Sequence, residues 1–312
     1  MTKKFAIFIP VKNEEANIER CLNSILHSAK DHVEIHVYDD LSTDKTSEML
    51  AEYQEKHTNI HVGKGFGKGP GVIRNFVLDK IKSQYIIYLD GDIEVQEDWF
   101  DQVKKSTALM NEKIVAVGGA QRIPKNANAM ENFHGALLQA CSVMSDHIHE
   151  HKEMKEVDHN PLCNVIYERQ KLIDAGGFDE NLWPGEDLDM DIRLKKSGYQ
   201  LFYNPEMVVY HHRPDTVEEF QRMLVKYGKA QAYMMKKHGM TQKLHLVPII
   251  SFLVLILLLL NPSVIASFLL VGLFLFFTLR TNNILYGLAF PFYAIYSIGS
   301  WNYGFIKGLF SK

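Results

Sequence analysis

Apolar and polar positions alternate in blocks over the first part of the chain. Runs of β-branched and aromatic residues at 5–11, 33–38 and 85–89 have the length of strands, and each run ends in polar residues. Apolar residues at helical spacing follow the first two runs, at 18–26 and 49–53. Because strands alternate with helices, we expect an α/β fold with a doubly wound, mostly parallel sheet.

The same patterns predict the remaining elements and two helix caps. Further strands are expected at 60–62, 114–118, 163–167, 201–203 and 207–210, the last two as edge strands. Further helices are expected at 99–110, 128–148, 186–197 and 216–238. Asn13 is the expected N-cap of the first helix, and Gly198 the residue that closes the helix before it.

Apolar residues concentrate after residue 244. The runs 244–260 and 263–279 are almost uncharged and are split by Asn261-Pro262, which predicts a helical hairpin of membrane length. The segment 285–310 is apolar and aromatic but contains proline, glycine and lysine, so it is either a third span or an interfacial helix. We therefore expect an α/β domain at 1–240 and a membrane domain at 241–312.

The charges beside the hairpin predict its orientation. Lys236, Lys237 and Lys243 precede it and Arg280 follows it, which places both ends on the cytoplasmic side of a cell membrane. The N-terminal apolar run is interrupted by proline and lacks a small-residue cleavage site, so it is predicted to be a strand and not a signal peptide. We therefore expect a multi-pass protein whose α/β domain lies in the cytoplasm.

Composition excludes some classes of protein. The chain has 312 residues, of which 46% are apolar, and a net charge of −3, so it holds a substantial core and has no general attraction to nucleic acid. We expect no nucleic-acid partner. Cys21, Cys141 and Cys163 are too far apart for metal-ligand spacing, which favours a reducing compartment. Nothing in the sequence indicates an oligomeric state.

The strand at 85–89 leads directly into Asp90-Gly91-Asp92. Ligands of open α/β sheets bind outside the carboxyl ends of the strands, where this segment lies. Glycine lets the backbone approach a ligand closely, and two carboxylates suit Mg²⁺ or Mn²⁺ that carries phosphate groups. The alternative is an Asp-Gly turn with solvated carboxylates.

Three other segments contain candidate binding or catalytic residues. The glycine-rich loop 63–71 lacks the ending of a P-loop and a clean dinucleotide fingerprint, so we expect a flexible rim that places Arg74 near a nucleotide. Glu186 and Asp187 begin a helix, where acidic residues are either dipole partners or chemical groups. The histidines of 147–151 form either a metal cluster or a solvated segment that acts as a lid beside an acceptor site.

Taken in order, these motifs resemble the family 2 glycosyltransferases of the GT-A fold, inverting enzymes that use nucleotide-diphosphate sugars. The resemblance spans about residues 5 to 240. It rests on Phe8-Ile-Pro-Val-Lys-Asn-Glu-Glu, Val37-Tyr-Asp-Asp-Leu-Ser-Thr-Asp, Arg74-Asn75, Leu89-Asp-Gly-Asp, Gly176-Gly-Phe-Asp-Glu and Gly185-Glu-Asp. The chain departs from the family pattern at Leu41, where glycine is usual.

The resemblance implies a role for each matched residue. Donor binding is implied for Pro10, Asn13, Glu14, Asp40, Arg74, Asp90, Gly91 and Asp92. Asp40 would recognise the base, and Asp92, Asp90 and His211 would ligate Mn²⁺ or Mg²⁺, with His212 as the alternative histidine. The ion would neutralise the leaving diphosphate. Asp187 would be the general base that activates the acceptor hydroxyl, and Glu186 would position the acceptor.

The resemblance also narrows the reaction. Gln221-Arg-Met-Leu-Val-Lys-Tyr lacks the Gln-x-x-Arg-Trp signature of processive synthases, so single addition is favoured. A polyprenyl-phosphate glycosyltransferase ranks second, and a catalytically inactive nucleotide-sugar-binding membrane scaffold is the alternative from another class. We expect a UDP-sugar donor and a lipid-linked or membrane-proximal acceptor hydroxyl.

Overall fold

The computed structural model describes residues 4–141, 153–240 and 242–311. The strands are β1 (Phe5–Val11), β2 (Val33–Asp39), β3 (Ile60–Lys64), β4 (Tyr85–Leu89), β5 (Ile93–Val95), β6 (Ile114–Arg122), β7 (Lys155–Val157), β8 (Asn164–Glu168) and β9 (Gln200–His211). The α-helices are α1 (Ile18–Ala29), α2 (Thr46–Lys56), α3 (Pro70–Lys80), α4 (Trp99–Leu109), α5 (Ala129–Cys141), α6 (Arg169–Asp174), α7 (Glu186–Lys196), α8 (Val217–His238), α9 (Val247–Leu260), α10 (Pro262–Thr281) and α11 (Ile284–Phe310).

The contacts divide the chain into two compact units. As far as the described residues go, the first consists of Met1–Lys125 and Ser145–His212, and the second of Asn126–Met144 and Arg213–Lys312. The first unit therefore contains the whole sheet, and the second is helical. The functional boundary expected at residue 240 stays a prediction.

The first unit is built on one sheet with the order β3-β2-β1-β4-β8-β6-β9-β5, with β7 also paired to β9. The half made of β3, β2, β1 and β4 is parallel, because helices α1 to α3 connect successive strands. In the other half β8 runs antiparallel between β4 and β6, while β9 is parallel to β6. The α/β fold is confirmed, and the sheet is mixed beyond β4.

Two details of the second half differ from the expected elements. The segments expected as separate edge strands, 201–203 and 207–210, form the single strand β9, which lies inside the sheet between β6 and β5. A register shift between Gly119 and Ala120 on β6 lets β9 continue past the proline that separates the two segments. The three-residue strands β5 and β7 are too short for the alternation to reveal them.

One of the two expected helix caps is present and the other is not. Helix α1 begins at Ile18 after Asn17, so Asn13 is not its N-cap. Gly198 follows the end of α7 with φ +89°, and its N–H donates to the Lys195 carbonyl, as expected of a closing glycine.

The core of the first unit lies on both faces of the sheet. Ile7 and Ile9 of β1 are fully buried on the face covered by α1 and α4, and Ala6 and Phe8 are fully buried on the face covered by α3. Continuous apolar runs such as β1 and β4 are the signature of strands covered on both sides. Because the strands are buried on both faces, their ends are held rigidly. The polar residues that directly follow these ends are therefore also held in place.

In the second unit, α8 packs closely against α11. A Cβ on Gly228 would lie 2.0 Å from the carbonyl oxygen of Trp301, and a Cβ on Gly304 would lie 2.1 Å from that of Val225. Glycine at both positions lets the two backbones touch. Helix α11 is one continuous helix through Pro291, with a buried face on this contact.

Helices α9 and α10 have the length and composition of membrane spans. Lys243–Leu260 and Pro262–Thr281 have mean hydropathies of 2.5 and 2.3, and only 11% and 6% of these windows are buried. At about 1.5 Å per residue each reaches roughly the thickness of a hydrocarbon core. Helix α9 has no buried residue and α10 has one, Phe277, so most of the surface of both helices is apolar and exposed, as expected of surfaces that face lipid.

Candidate active site

Two carboxylates and a histidine meet where β4 and β9 end. Strand β4 leads into Asp90 and Asp92, and the pairing of Ile93 with His211 brings the end of β9 beside them. Nε2 of His211 lies 3.2 Å from Oδ2 of Asp92. Asp90, Asp92 and His211 each offer one ligand atom, and the three atoms lie within 4.8 Å of one another. His211, and not His212, belongs to this set.

Gly91 lets the loop after β1 close over these carboxylates. A Cβ at this position would lie 2.8 Å from Cγ1 of Val11 and 3.2 Å from Cγ of Glu14. Burial raises the pKa of Glu14, and the nearby charges of Asp92 and Asp90 raise it further, against a hydrogen bond from Asn17 that lowers it. Glu14 is thus a third carboxyl group against the same turn.

The electrostatics of this cluster favour a cation. Burial and the charge of Asp92 raise the pKa of Asp90 to about 6, although His211 and Arg74 pull it down. Three carboxyl groups so close together repel one another unless a positive charge lies between them. Hard oxygen ligands together with one imidazole fit Mn²⁺ or Mg²⁺, so the donor set agrees with the expected ion.

The loops after β1 and β2 are tied together through Asn13. Its backbone N–H donates to Oγ of Ser42, and its Oδ1 accepts from the backbone N–H of Thr43, both at 2.8 Å. The backbones of Asn13 (φ +58°) and Leu41 (φ +64°) both adopt the left-handed conformation. Leu41 stands where the resemblance led us to expect glycine, and it adopts this conformation at a steric cost of about 1–2 kcal/mol.

The two aspartates after β2 have different surroundings. Asp39 is buried and accepts hydrogen bonds from Ser42 and Ser47, so it organises the turn. Asp40 is partly exposed, and its Oδ1 accepts from the N–H of Gly67 at 2.7 Å. The glycine-rich loop therefore packs against the aspartate expected to read the base. Pro10 lies in β1 and is paired with Tyr38, the residue before Asp39.

Arg74 and Glu186 form a buried ion pair between α3 and the start of α7. Their side chains are only 8% and 6% exposed, and the Arg74 guanidinium lies over the Phe178 ring at 5.7 Å. Burial opposes the charge, but Glu186, Asp187 and Asp90 raise the pKa of Arg74 above its ordinary value. Glu186 also accepts from the N–H of Gly185 at 3.0 Å, so its carboxylate is fully engaged inside the protein.

Asp187 is the next residue of α7, and its carboxylate is 27% exposed. Its Oδ2 lies 3.8 Å from Nε2 of His159, and Nδ1 of the same ring lies 2.8 Å from Oδ2 of Asp191. Asp187 and Asp191 are four residues apart on one helix, so they share a face that His159 bridges. His159 thus stands behind the carboxylate that was expected to be the base.

His159 is held by a buried network. Asp191 is fully buried and accepts from the Tyr167 hydroxyl at 2.5 Å and from the backbone N–H of Asn160 at 2.8 Å. Burial alone would lower the pKa of His159, but the hydrogen bond to Asp191 and the charge of Asp187 raise it above its ordinary value. The site favours an imidazolium between two carboxylates.

His159 was not among the expected site residues. The residue lies before β8, in a stretch with no periodicity, and the spacing of Asp187 and Asp191 on α7 was the one signal that these two carboxylates share a partner.

The structure brings most of the expected residues to one edge of the sheet. Asp90 interacts electrostatically with Asp92, His211, Arg74 and Asp187. Pro10, Asn13 and Asp40 lie on the adjoining loops, and Glu186 lies behind them in its pair with Arg74. The histidines of 147–151 lie outside the described residues, and their role as lid or metal cluster stays a prediction.

Comparisons with known proteins bear on the family and the fold of the chain. The sequence model of glycosyl transferase family 2 matches residues 6–172. A relative from Methanococcus voltae is 25% identical over 97% of this chain and 96% of its own length; it is a dolichyl N-acetyl-alpha-D-glucosaminyl phosphate 3-beta-D-2,3-diacetamido-2,3-dideoxy-beta-D-glucuronosyltransferase.

Two solved structures share the fold. The mannosyltransferase PcManGT from Pyrobaculum calidifontis, in complex with GDP-Man and Mn²⁺, has a TM-score of 0.64 at 17% identity and covers 100% of this chain and 88% of its own. TarS 1–349 from S. aureus, in complex with UDP-GlcNAc, has a TM-score of 0.53 at 16% identity and covers 97% and 91%.

Proposed function

Because the chain belongs to glycosyl transferase family 2, we propose that it transfers one sugar from a nucleoside-diphosphate sugar to a hydroxyl group of a lipid-linked acceptor, with inversion at the anomeric carbon. The chain is a glycosyltransferase with the GT-A fold.

One observation carries the proposal. The carboxyl group of Asp90 interacts electrostatically with Asp92 and His211, and also with Arg74 and Asp187. The groups that would stabilise a leaving diphosphate and the group that would activate an acceptor therefore lie close enough to act on one substrate.

The leaving-group side consists of Asp90, Asp92 and His211. These residues would hold Mn²⁺ or Mg²⁺, which when bound supplies Lewis-acid neutralisation of the diphosphate charge. Asp40 would contact the base, and the Asn13 turn would hold that loop in place. Arg74, buried beside Asp90, adds positive charge to the donor side of the site.

The attacking side centres on Asp187. Its carboxylate would accept the proton of the acceptor hydroxyl while that oxygen bonds to the anomeric carbon and the bond to the diphosphate breaks. A single displacement inverts the anomeric centre. His159 acts as a positioning residue: its Nε2 faces the Asp187 carboxylate at 3.8 Å, and Asp191 holds the ring in place.

The acceptor and the location follow from the relative and from the apolar helices. The Methanococcus voltae relative is named for transfer to a dolichyl-linked sugar phosphate, which supports a lipid-linked saccharide as acceptor. Helices α9 and α10 support membrane association. We propose a multi-pass protein whose catalytic domain faces the cytoplasm, as the flanking lysines and Arg280 indicate, and UDP as the favoured nucleotide.

The test is donor and acceptor turnover by the detergent-purified full chain. UDP- and GDP-sugars are offered with Mn²⁺ or EDTA, together with a polyprenyl-linked sugar phosphate or with polyprenyl phosphate alone. We expect transfer from a UDP-sugar to the polyprenyl-linked sugar, only with the metal. Transfer to polyprenyl phosphate alone would favour the polyprenyl-phosphate class instead.

Two variants separate the proposed roles. Asp92→Asn should lose metal-dependent donor use, whereas Asp187→Asn should still bind the donor and lose transfer, because only the attacking side is altered. If a donor binds in Mn²⁺ but the wild type neither transfers nor hydrolyses it, the scaffold alternative is correct.

A further inference from the structure

A second group of metal-ligand side chains lies at the opposite edge of the sheet from β5. Glu34 and His36 belong to β2, and His61 belongs to β3, the edge strand. His36 and His61 are directly paired in the parallel register, so both side chains point to the same face, and Glu34 lies two residues before His36 on that face. None of the three belongs to the active site described above.

The geometry of the three side chains suits a single ion. The rings of His36 and His61 have centroids 4.9 Å apart, and Nε2 of His36 lies 3.6 Å from Oε2 of Glu34. One ligand atom from each residue lies within 4.8 Å of the others. Two ligands bound at about 2.1 Å in a tetrahedral site are about 3.4 Å apart, so small side-chain rotations would complete the coordination.

A second observation also points to a ligand. Nε2 of His36 is buried, and the Glu34 carboxylate oxygen beside it lies at 3.6 Å, beyond hydrogen-bond length. Buried polar atoms are nearly always satisfied, and an ion is one of the few explanations for an exception. The other side of β2 carries Val33, Ile35 and Val37, which are fully buried and hold the strand rigidly in place.

We propose that Glu34, His36 and His61 bind a divalent transition-metal ion of the Zn²⁺ class. Two imidazoles and one carboxylate are a typical ligand set for Zn²⁺, whereas Mn²⁺ and Mg²⁺ favour oxygen-rich sites such as the one around Asp90 and Asp92. The two sites should therefore select different ions.

The bound ion would link the edge strand to its neighbour. His61 lies on β3 just before the glycine-rich loop, whose Gly67 N–H donates to Asp40. Cross-linking β2 to β3 would stabilise this edge of the sheet and the start of that loop.

The test is a Co²⁺ titration of the full-length protein in detergent, purified with a tag that contains no histidine and stripped of metal. Saturating Mg²⁺ is present to occupy the oxygen-rich site. We expect the visible bands of low-coordinate Co²⁺ to saturate at one ion per chain, and Zn²⁺ to abolish them. The exposed His61 permits a mild variant, His61→Ala, which should weaken Co²⁺ binding by more than about tenfold, since the loss of even an outer-shell partner costs about that much.

Two controls define the result. His27→Ala removes another exposed histidine beside a carboxylate, Glu97 at 3.9 Å, and should leave the bands unchanged. Asp92→Asn should also leave them unchanged. The proposal is overturned if no Co²⁺ band appears, if His61→Ala binds like wild type, or if Asp92→Asn removes the bands. As an independent readout, Zn²⁺ should raise the thermal midpoint of wild type and not that of His61→Ala.

Discussion

The ion pair between Arg74 and Glu186 allows a quantitative prediction. Both side chains are more than nine-tenths buried, so solvent screens the pair little. Removing one partner of a buried pair leaves an uncompensated charge and costs about 3–5 kcal/mol. The surroundings of the pair determine which of the two substitutions costs more.

The two single variants should differ because other carboxylates surround Arg74. In Glu186→Gln the guanidinium loses its partner but keeps the charges of Asp187 and Asp90, so we expect a loss of about 3 kcal/mol. In Arg74→Met the cation disappears and the carboxylate of Glu186, next in the chain to Asp187, is left buried without it, so we expect about 5 kcal/mol.

The assay is thermal unfolding of the full-length protein in detergent. For a unit of 150–250 residues these losses correspond to midpoints lower by about 6–12 °C for Glu186→Gln and about 10–20 °C for Arg74→Met. The double variant should unfold above Arg74→Met, since it contains no unpaired buried charge. Glu52→Gln, which breaks the exposed pair with Lys56, should leave the midpoint essentially unchanged.

The reasoning is refuted if Glu186→Gln is as harmful as Arg74→Met, or if the effects of the two substitutions simply add in the double variant. Equal losses would mean that the carboxylates around Arg74 do not govern its energetics, and additive losses would mean that the pair contributes no specific interaction.

Three further predictions concern the active site and the helical unit. Mn²⁺ affinity, measured by calorimetry, should fall as pH drops below about 6, because the pKa of Asp90 is about 6 and its proton must leave before an ion binds; an affinity unchanged between pH 7 and pH 5 would contradict this. His159→Gln should lower kcat while donor KM stays constant, because Asp187 loses the ring that faces it at 3.8 Å and that Asp191 holds in place; a weaker donor KM with an unchanged kcat would contradict this. Gly304→Leu should lower the thermal midpoint by forcing α8 and α11 apart, whereas the same change at Gly299, whose Cβ meets nothing within 4 Å, should not.

The sequence by itself determined the type and order of most elements and the position of the reactive ends. Apolar runs that are covered on both faces were recognisable as strands. Because the polar motifs directly follow these strands, they had to lie at the carboxyl edge of the sheet. Asp90, Asp92 and His211 were predicted as one ligand set on that basis and on the family resemblance, and the structure brings them together.

Only the tertiary structure decided which distant side chains meet. The antiparallel entry of β8 between β4 and β6, the pairing of Arg74 with a glutamate 112 positions away, and the placement of His159 between two carboxylates of α7 all depend on contacts across the fold. Periodicity reports which face of one element is buried, and it carries no information on the partner of that face. The pairing of His36 with His61 has the same origin, since the register of two strands places them side by side.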